Sequence, residues 1–191
     1  MKAVSFLIIL CSFFTILIKT FEEKLSDAAI AIVDKTVVYT PTYVSIKYPN
    51  GDVPAKTSVC TDVIIRSYRK LGIDLQKEVH EDMVSNFNKY PKIWRLKKTD
   101  SNIDHRRVPN LEVFFTRKGT KLVVSDNAKD YKTGEIVTWM INGKLPHIGI
   151  VTHKKSLDGK RPMIVHNVGG GQVLEDCLFD FKIVGHYKYG K

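Results

Sequence analysis

A chain of 191 residues is long enough to bury one core, and no repeat or low-complexity tract divides it. Its 43% hydrophobic and 26% charged residues fall in the ordinary globular range, which sets it apart from disordered and fibrous chains. The formal charge of +10 is spread over the sequence without a basic helix or an aromatic-basic module, so no nucleic-acid partner is expected; an anionic cell wall or membrane surface is the simpler one.

Lys2 precedes an apolar run over residues 3–18, closed by Lys19. This is the pattern of a secretory signal peptide, and it predicts an exported protein, periplasmic or secreted. No small-x-small cleavage site follows, so segment 1–21 is read as a signal peptide or an uncleaved membrane-targeting anchor, although the run falls short of the ~20 residues of a comfortable span. Cys11 follows Leu10 rather than a small residue, which argues against a lipoprotein cysteine. Residues 22–191 are then a single domain, read as a monomer.

A helix is expected over 23–36, with Leu25, Ala28, Ala29, Ile32 and Val33 on one face. The connection over 39–52 ends in the turn Pro49-Asn50-Gly51-Asp52. Ser58 is a candidate cap for a helix over 60–71 that Gly72 stops, and a third helix is expected over 76–88, ended by Pro91. From 111 onward the pattern alternates. Strands are expected over 111–115, 121–124, 135–141, 147–153, 162–168 and 183–189, with turns at Lys118-Gly119, Asn142-Gly143, Asp158-Gly159 and Gly169-Gly170-Gly171. Helices followed by a meander of strands make an α+β fold, N-terminal helices on an antiparallel sheet.

Without the leader, only Cys60 and Cys177 remain, and in an oxidising compartment the two could form a disulfide. Cys60, however, opens a helix, where free N–H groups and the helix dipole favour a thiolate and can later hold an oxyanion. That position predicts a free thiol with a lowered pKa. His147 opens one strand and His166 lies in the next, joined by the Asp158-Gly159 turn. A histidine base held at its second nitrogen by a polar neighbour is the logic of a nucleophile triad. Strand alternation lets only one of His166 and Asn167 face His147, and His166 is the expected one.

Cys60 at a helix start, the strand His147-Ile148-Gly149-Ile150-Val151 and Val165-His166 before a Gly-rich turn resemble the NlpC-type papain-like superfamily. The resemblance implies Cys60 as nucleophile, His147 as base and His166 as the orienting group, with peptidoglycan stem peptides as a frequent substrate. Tyr48-Pro49-Asn50-Gly51-Asp52, Cys60-Thr61-Asp62-Val63, Asp74-Leu75-Gln76, His80-Glu81-Asp82-Met83, the stretch from Ile103 to Asn110 and Gly185-His186-Tyr187 further resemble a bacterial family catalogued as domain of unknown function 1287, over about residues 28–189. That family name implies no activity. The NlpC pattern commonly has Asp-Cys-Ser at the nucleophile; here it is Val59-Cys60-Thr61-Asp62.

Asp62, His105, Arg107 and Tyr48 fall within these motifs and are the candidate substrate-binding residues. Asp104-His105-Arg106-Arg107 reads either as a clamp for a substrate carboxylate or as an ion-pair knot joining Asp104 or Asp62 to the arginines; Arg106 is assigned to the knot and Arg107 left to either. His80-Glu81-Asp82 reads as a solvated helix face. No His-Glu-x-x-His or paired-cysteine spacing occurs, so neither a metal nor another cofactor is expected. The expected function is a cysteine amidase or peptidase acting on a cell-wall or other envelope amide through a Cys-His-His triad. The alternatives are an acyltransferase, a secreted effector, or a non-catalytic envelope-binding domain on the same fold.

Overall fold

The computed structural model describes residues 18–190; residues 1–17, Cys11 included and with them most of the leader expected over 1–21, lie outside them. The first helix, α1 (Phe21–Ile30), begins at the last residue of the expected leader, where Thr20 and Glu23 form a reciprocal capping box. It ends six residues before the expected end at Thr36. Asp34 pulls the chain away there by accepting from the Thr36 backbone N–H and hydroxyl, and its own backbone bridges to Gln172.

A short parallel pair, β1 (Val38–Tyr39) and β2 (Thr57–Ser58), delivers the chain to α2 (Cys60–Lys70). The expected Ser58 cap is not the one used. Val59 is the N-cap, and Asp62, three residues on, accepts its N–H at 2.7 Å, while the Ser58 hydroxyl donates to the Val59 carbonyl. Next comes α3 (Leu75–Asn86), capped by Asp74.

The expected strand at 111–115 is instead part of α4 (Val108–Lys118). Leu111, Val113 and Phe115 alternate, but Val108, Leu111, Phe114 and Phe115 also lie on one helical face and are all buried, and Pro109 in the first turn favours a helix start. The strands that follow are β3 (Thr120–Lys121), β4 (Ile136–Ile141), β5 (Leu145–Lys155), β6 (Pro162–His166), β7 (Val173–Glu175) and β8 (Lys182–Lys188). They form an antiparallel sheet in the order β3-β8-β4-β5-β6-β7.

The fold is therefore α+β. Alternation divides the sheet between two cores. Ile136, Ile148, Ile150, Val165 and Tyr187 pack with Cys60, Val63, Ile64 and the other helical residues. Val137, Trp139, Val151 and Ile164 pack on the other face with Tyr131, Cys177 and Leu178. Among the described residues no helix is long and apolar enough to cross a membrane.

Candidate functional site

Cys60 is the first residue of α2 and sits in the helix-sheet core, 5% exposed. It borders a cleft of about 350 Å³ shared with Tyr39, Trp94, Arg107 and the start of β5 at Leu145 and Pro146. Backbone N–H groups alternate in direction along a strand. The Val151 N–H bonds Glu135 on the β4 side, so that of Ile148 points toward β6. The β5–β6 register runs from Ile150↔Val165 away from the histidine end, which leaves the Ile148 N–H unused by β6 and close enough to the Cys60 sulfur to favour its charged form. Ile148 shares the helical core with Cys60, whereas the side chain of His147, one residue earlier in the strand, faces Trp139 on the other side of the sheet, and among the described residues no hydrogen bond joins it to the Cys60 sulfur.

His147 stacks near Trp139 at 5.7 Å between centroids, and its Nε2 lies 2.9 Å from His166 Nδ1. His166 Nε2 in turn lies 3.0 Å from Glu175 Oε2. It is His166, not Asn167, that faces His147; Asn167 Oδ1 accepts from the Gly169 backbone N–H. Gly149 makes the approach possible, because a Cβ there would lie 2.6 Å from Ile164 Cγ2 and 3.2 Å from His166 Cβ. Since a carboxylate only accepts, Glu175 orders the protons along this line. His166 donates from Nε2 to Glu175, its Nδ1 accepts from His147 Nε2, and His147 Nδ1 keeps its lone pair.

Burial dominates the titration of this line. It pushes the Cys60 thiol up to about 12, Asp62 adding in the same direction against the N–H groups of Ile148 and Thr61. It holds His147 down at about 3, with His166 pushing the same way, and lowers His166 despite Glu175. The expectation of a lowered Cys60 pKa is thus reversed. The helix start offers its N–H groups, but desolvation of a thiol in an apolar core outweighs them. The resting pair is a neutral thiol and a neutral imidazole, and no disulfide links Cys60 to Cys177.

The four candidate binding residues separate. Asp62 is buried in a bidentate pair with Arg106, at 2.9 and 3.0 Å, which fixes the start of α2 to the 3₁₀ turn Asp104–Arg106; of the two carboxylates weighed for the knot, Asp62 is the one Arg106 meets. His105 is buried and held down at about 3 by burial and by Arg106, and it does not border the cleft. Tyr48 packs edge-on against His80 at 5.3 Å, outside the cleft lining. Arg107 alone shares the cleft with Cys60, its guanidinium 4.6 Å over the Trp94 ring. The presumed solvated face is solvated only at Glu81. Asp82 is buried under Arg117, Lys118 and Tyr90, and His80 bonds the buried Asp104.

Sequence reasoning missed Glu175, Cys177 and Trp94 as neighbours of the site. Cys177 Sγ lies 3.4 Å from His166 Nε2, and Trp94 forms part of the cleft wall. A signal for Glu175 was present in its short spacing after His166 across the Gly169-Gly170-Gly171 turn, which returns the chain to pair His166 with Val173.

Fold and site define an α+β protein with a buried thiol at a helix start and a paired-histidine line in the adjoining sheet. The profile of the family described as Domain of unknown function (DUF1287) matches residues 26–189, and the chain belongs to that family. It is similar to a protein of Escherichia coli (strain K12) named Uncharacterized protein YijF, at 48% identity over 165 residues, 86% of this chain and 80% of that protein. No solved structure matches the chain.

Proposed function

We propose that this chain is an exported cysteine amidase or peptidase of the papain-like, NlpC type, acting on an amide of the cell envelope such as a peptidoglycan stem-peptide bond. One observation carries the reading: the thiol at the start of α2 borders a cleft lined by Pro146 of β5, and the next residue of that strand, His147, has its Nε2 held by a second histidine. In the proposed reaction His147 Nδ1 takes the Cys60 proton as the sulfur attacks the amide carbon. The N–H groups at the start of α2 receive the developing oxyanion. The imidazolium, stabilised through His166 and Glu175, then protonates the leaving amine as the C–N bond breaks. Water, deprotonated by His147, releases the acyl group from the thioester; an amine or lipid hydroxyl in its place would make the protein an acyltransferase.

In the resting state the thiol, held up at about 12, and the ring, held down at about 3, are both neutral, and burial makes proton transfer between them uphill; the proposed reaction therefore needs substrate binding to change the surroundings that cause both shifts. Incubating the purified protein with peptidoglycan and resolving products by mass should give a new fragment that Cys60→Ala abolishes; a fragment that persists in Cys60→Ala would refute the assignment. The second reading, a non-catalytic envelope-binding domain, is favoured by the burial of Cys60 itself. Saturable binding to sacculi, unchanged in Cys60→Ala and without product, would establish it.

A further inference from the structure

The cleft beside Cys60 holds a cation without a counter-charge. Of the two arginines on its wall, Arg106 is neutralised by its bidentate pair with Asp62. Arg107 has no ion pair among the described residues, and its Nη1 is buried without a hydrogen-bond partner. A buried donor left unpaired is costly, and such groups cluster where a ligand completes them. Trp94, on whose ring Arg107 rests, adopts φ 57, a left-handed conformation that is strained for an L-residue and recurs at ligand sites. It is 56% exposed. Lys144 adds a second positive charge to the lining, and no Asp or Glu is found there among the described residues.

We propose that the cleft takes a substrate carrying a carboxylate close to the scissile amide, with Arg107 binding that carboxylate and Trp94 fixing the plane of the guanidinium. Stacking uses the face of the guanidinium and leaves its N–H edge to donate, the geometry that suits a planar carboxylate. Arg106 cannot serve, because its fork is already filled by Asp62. The carboxylate assignment rests on reading Cys60 as the nucleophile, since that reading makes the bound ligand a substrate.

The test separates the two. N-acetylglycine, its neutral counterpart N-acetylglycinamide and inorganic phosphate are titrated into the protein while NMR follows the Trp94 indole N–H and the Arg107 guanidinium. N-acetylglycine should shift both signals saturably and the amide should not. Arg107→Gln should remove the response and Arg107→Lys should keep part of it. In parallel, iodoacetate and iodoacetamide are compared as labels for Cys60; replacing Arg107 by Gln should slow iodoacetate relative to iodoacetamide by about tenfold, the effect of one charge-assisted hydrogen bond. Equal shifts from acid and amide, a response that survives Arg107→Gln, or phosphate outcompeting N-acetylglycine would overturn the carboxylate site. Failure of Cys60 to react with either reagent would count against the nucleophile, while the NMR titration would still decide the anion.

Discussion

The two cysteines are alike in burial and differ in access and in the groups around the sulfur. Both are 5% exposed, and burial pushes both up to about 12. Around Cys60 the remaining groups are mixed: Asp62 opposes the thiolate, while the N–H groups of Ile148, Thr61 and Cys60 favour it. Around Cys177 the charges are uniformly hostile, with Glu175, Asp180 and Asp176 all raising its pKa. Cys60 borders a cleft, whereas Cys177 is packed in the smaller core with Trp139, Val151 and Leu178, its sulfur 3.4 Å from the far nitrogen of His166. Burial alone therefore does not separate a nucleophile from a structural thiol; access and the dipoles aimed at the sulfur do.

The largest effect should come from the cysteines themselves. Cys60→Ala should abolish release of envelope fragments, and Cys177→Ala should leave turnover nearly unchanged. Next, His147→Ala should lower turnover by about 10³-fold, within the usual range for a general base. His166→Ala should cost less, because it orients the base, and Glu175→Gln less again. A Glu175→Gln loss as large as that of His147→Ala would mean that the proton order along the line is wrong. Progress curves from single preparations of each variant supply these ratios.

The contrast between the thiols was half legible in the sequence. The helix start at Cys60 was placed rightly from Ser58, although Ser58 is not the cap used, and the Asp158-Gly159 turn brings His147 and His166 onto adjacent strands. The partners of Cys177 were hidden, because β7 has only three residues and follows three glycines, too short a stretch to carry an alternating pattern. The helix over Val108–Lys118 was misread where Leu111, Val113 and Phe115 alternate while Val108, Leu111, Phe114 and Phe115 also share one helical face. The rise in the Cys60 pKa was not legible either, since a helix start is visible in sequence and the depth at which it is buried is not.

Stability should also distinguish the two settings. The Asp62–Arg106 pair anchors the start of α2 and is almost fully buried on both sides. Asp62→Ala would strand the guanidinium and should destabilise the fold by about 3–5 kcal/mol in denaturant unfolding. Acid should act through the neutral rings. His147 and His105 take a proton near pH 6.5 when unfolded but only at about 3 when folded. Their contribution is complete above pH 6.5 and falls as the pH drops toward 3, at up to about 1.4 kcal/mol per pH unit for each ring. Urea midpoints between pH 7.5 and 4.5 should show that slope, and His105→Gln should flatten it. Cys177→Ala, which removes one buried sulfur, should be the mildest change, at about 1 kcal/mol.

The most direct test of Cys60 as the His147-activated nucleophile is covalent trapping. A peptide chloroacetamide bearing a free carboxylate is incubated with the reduced protein at neutral pH, and the adduct is located by peptide mass mapping. The account predicts a single adduct on Cys60, none on Cys177, and a rate that collapses in His147→Ala. An adduct on Cys177, equal labelling of both thiols, or a Cys60 rate indifferent to His147→Ala would contradict it.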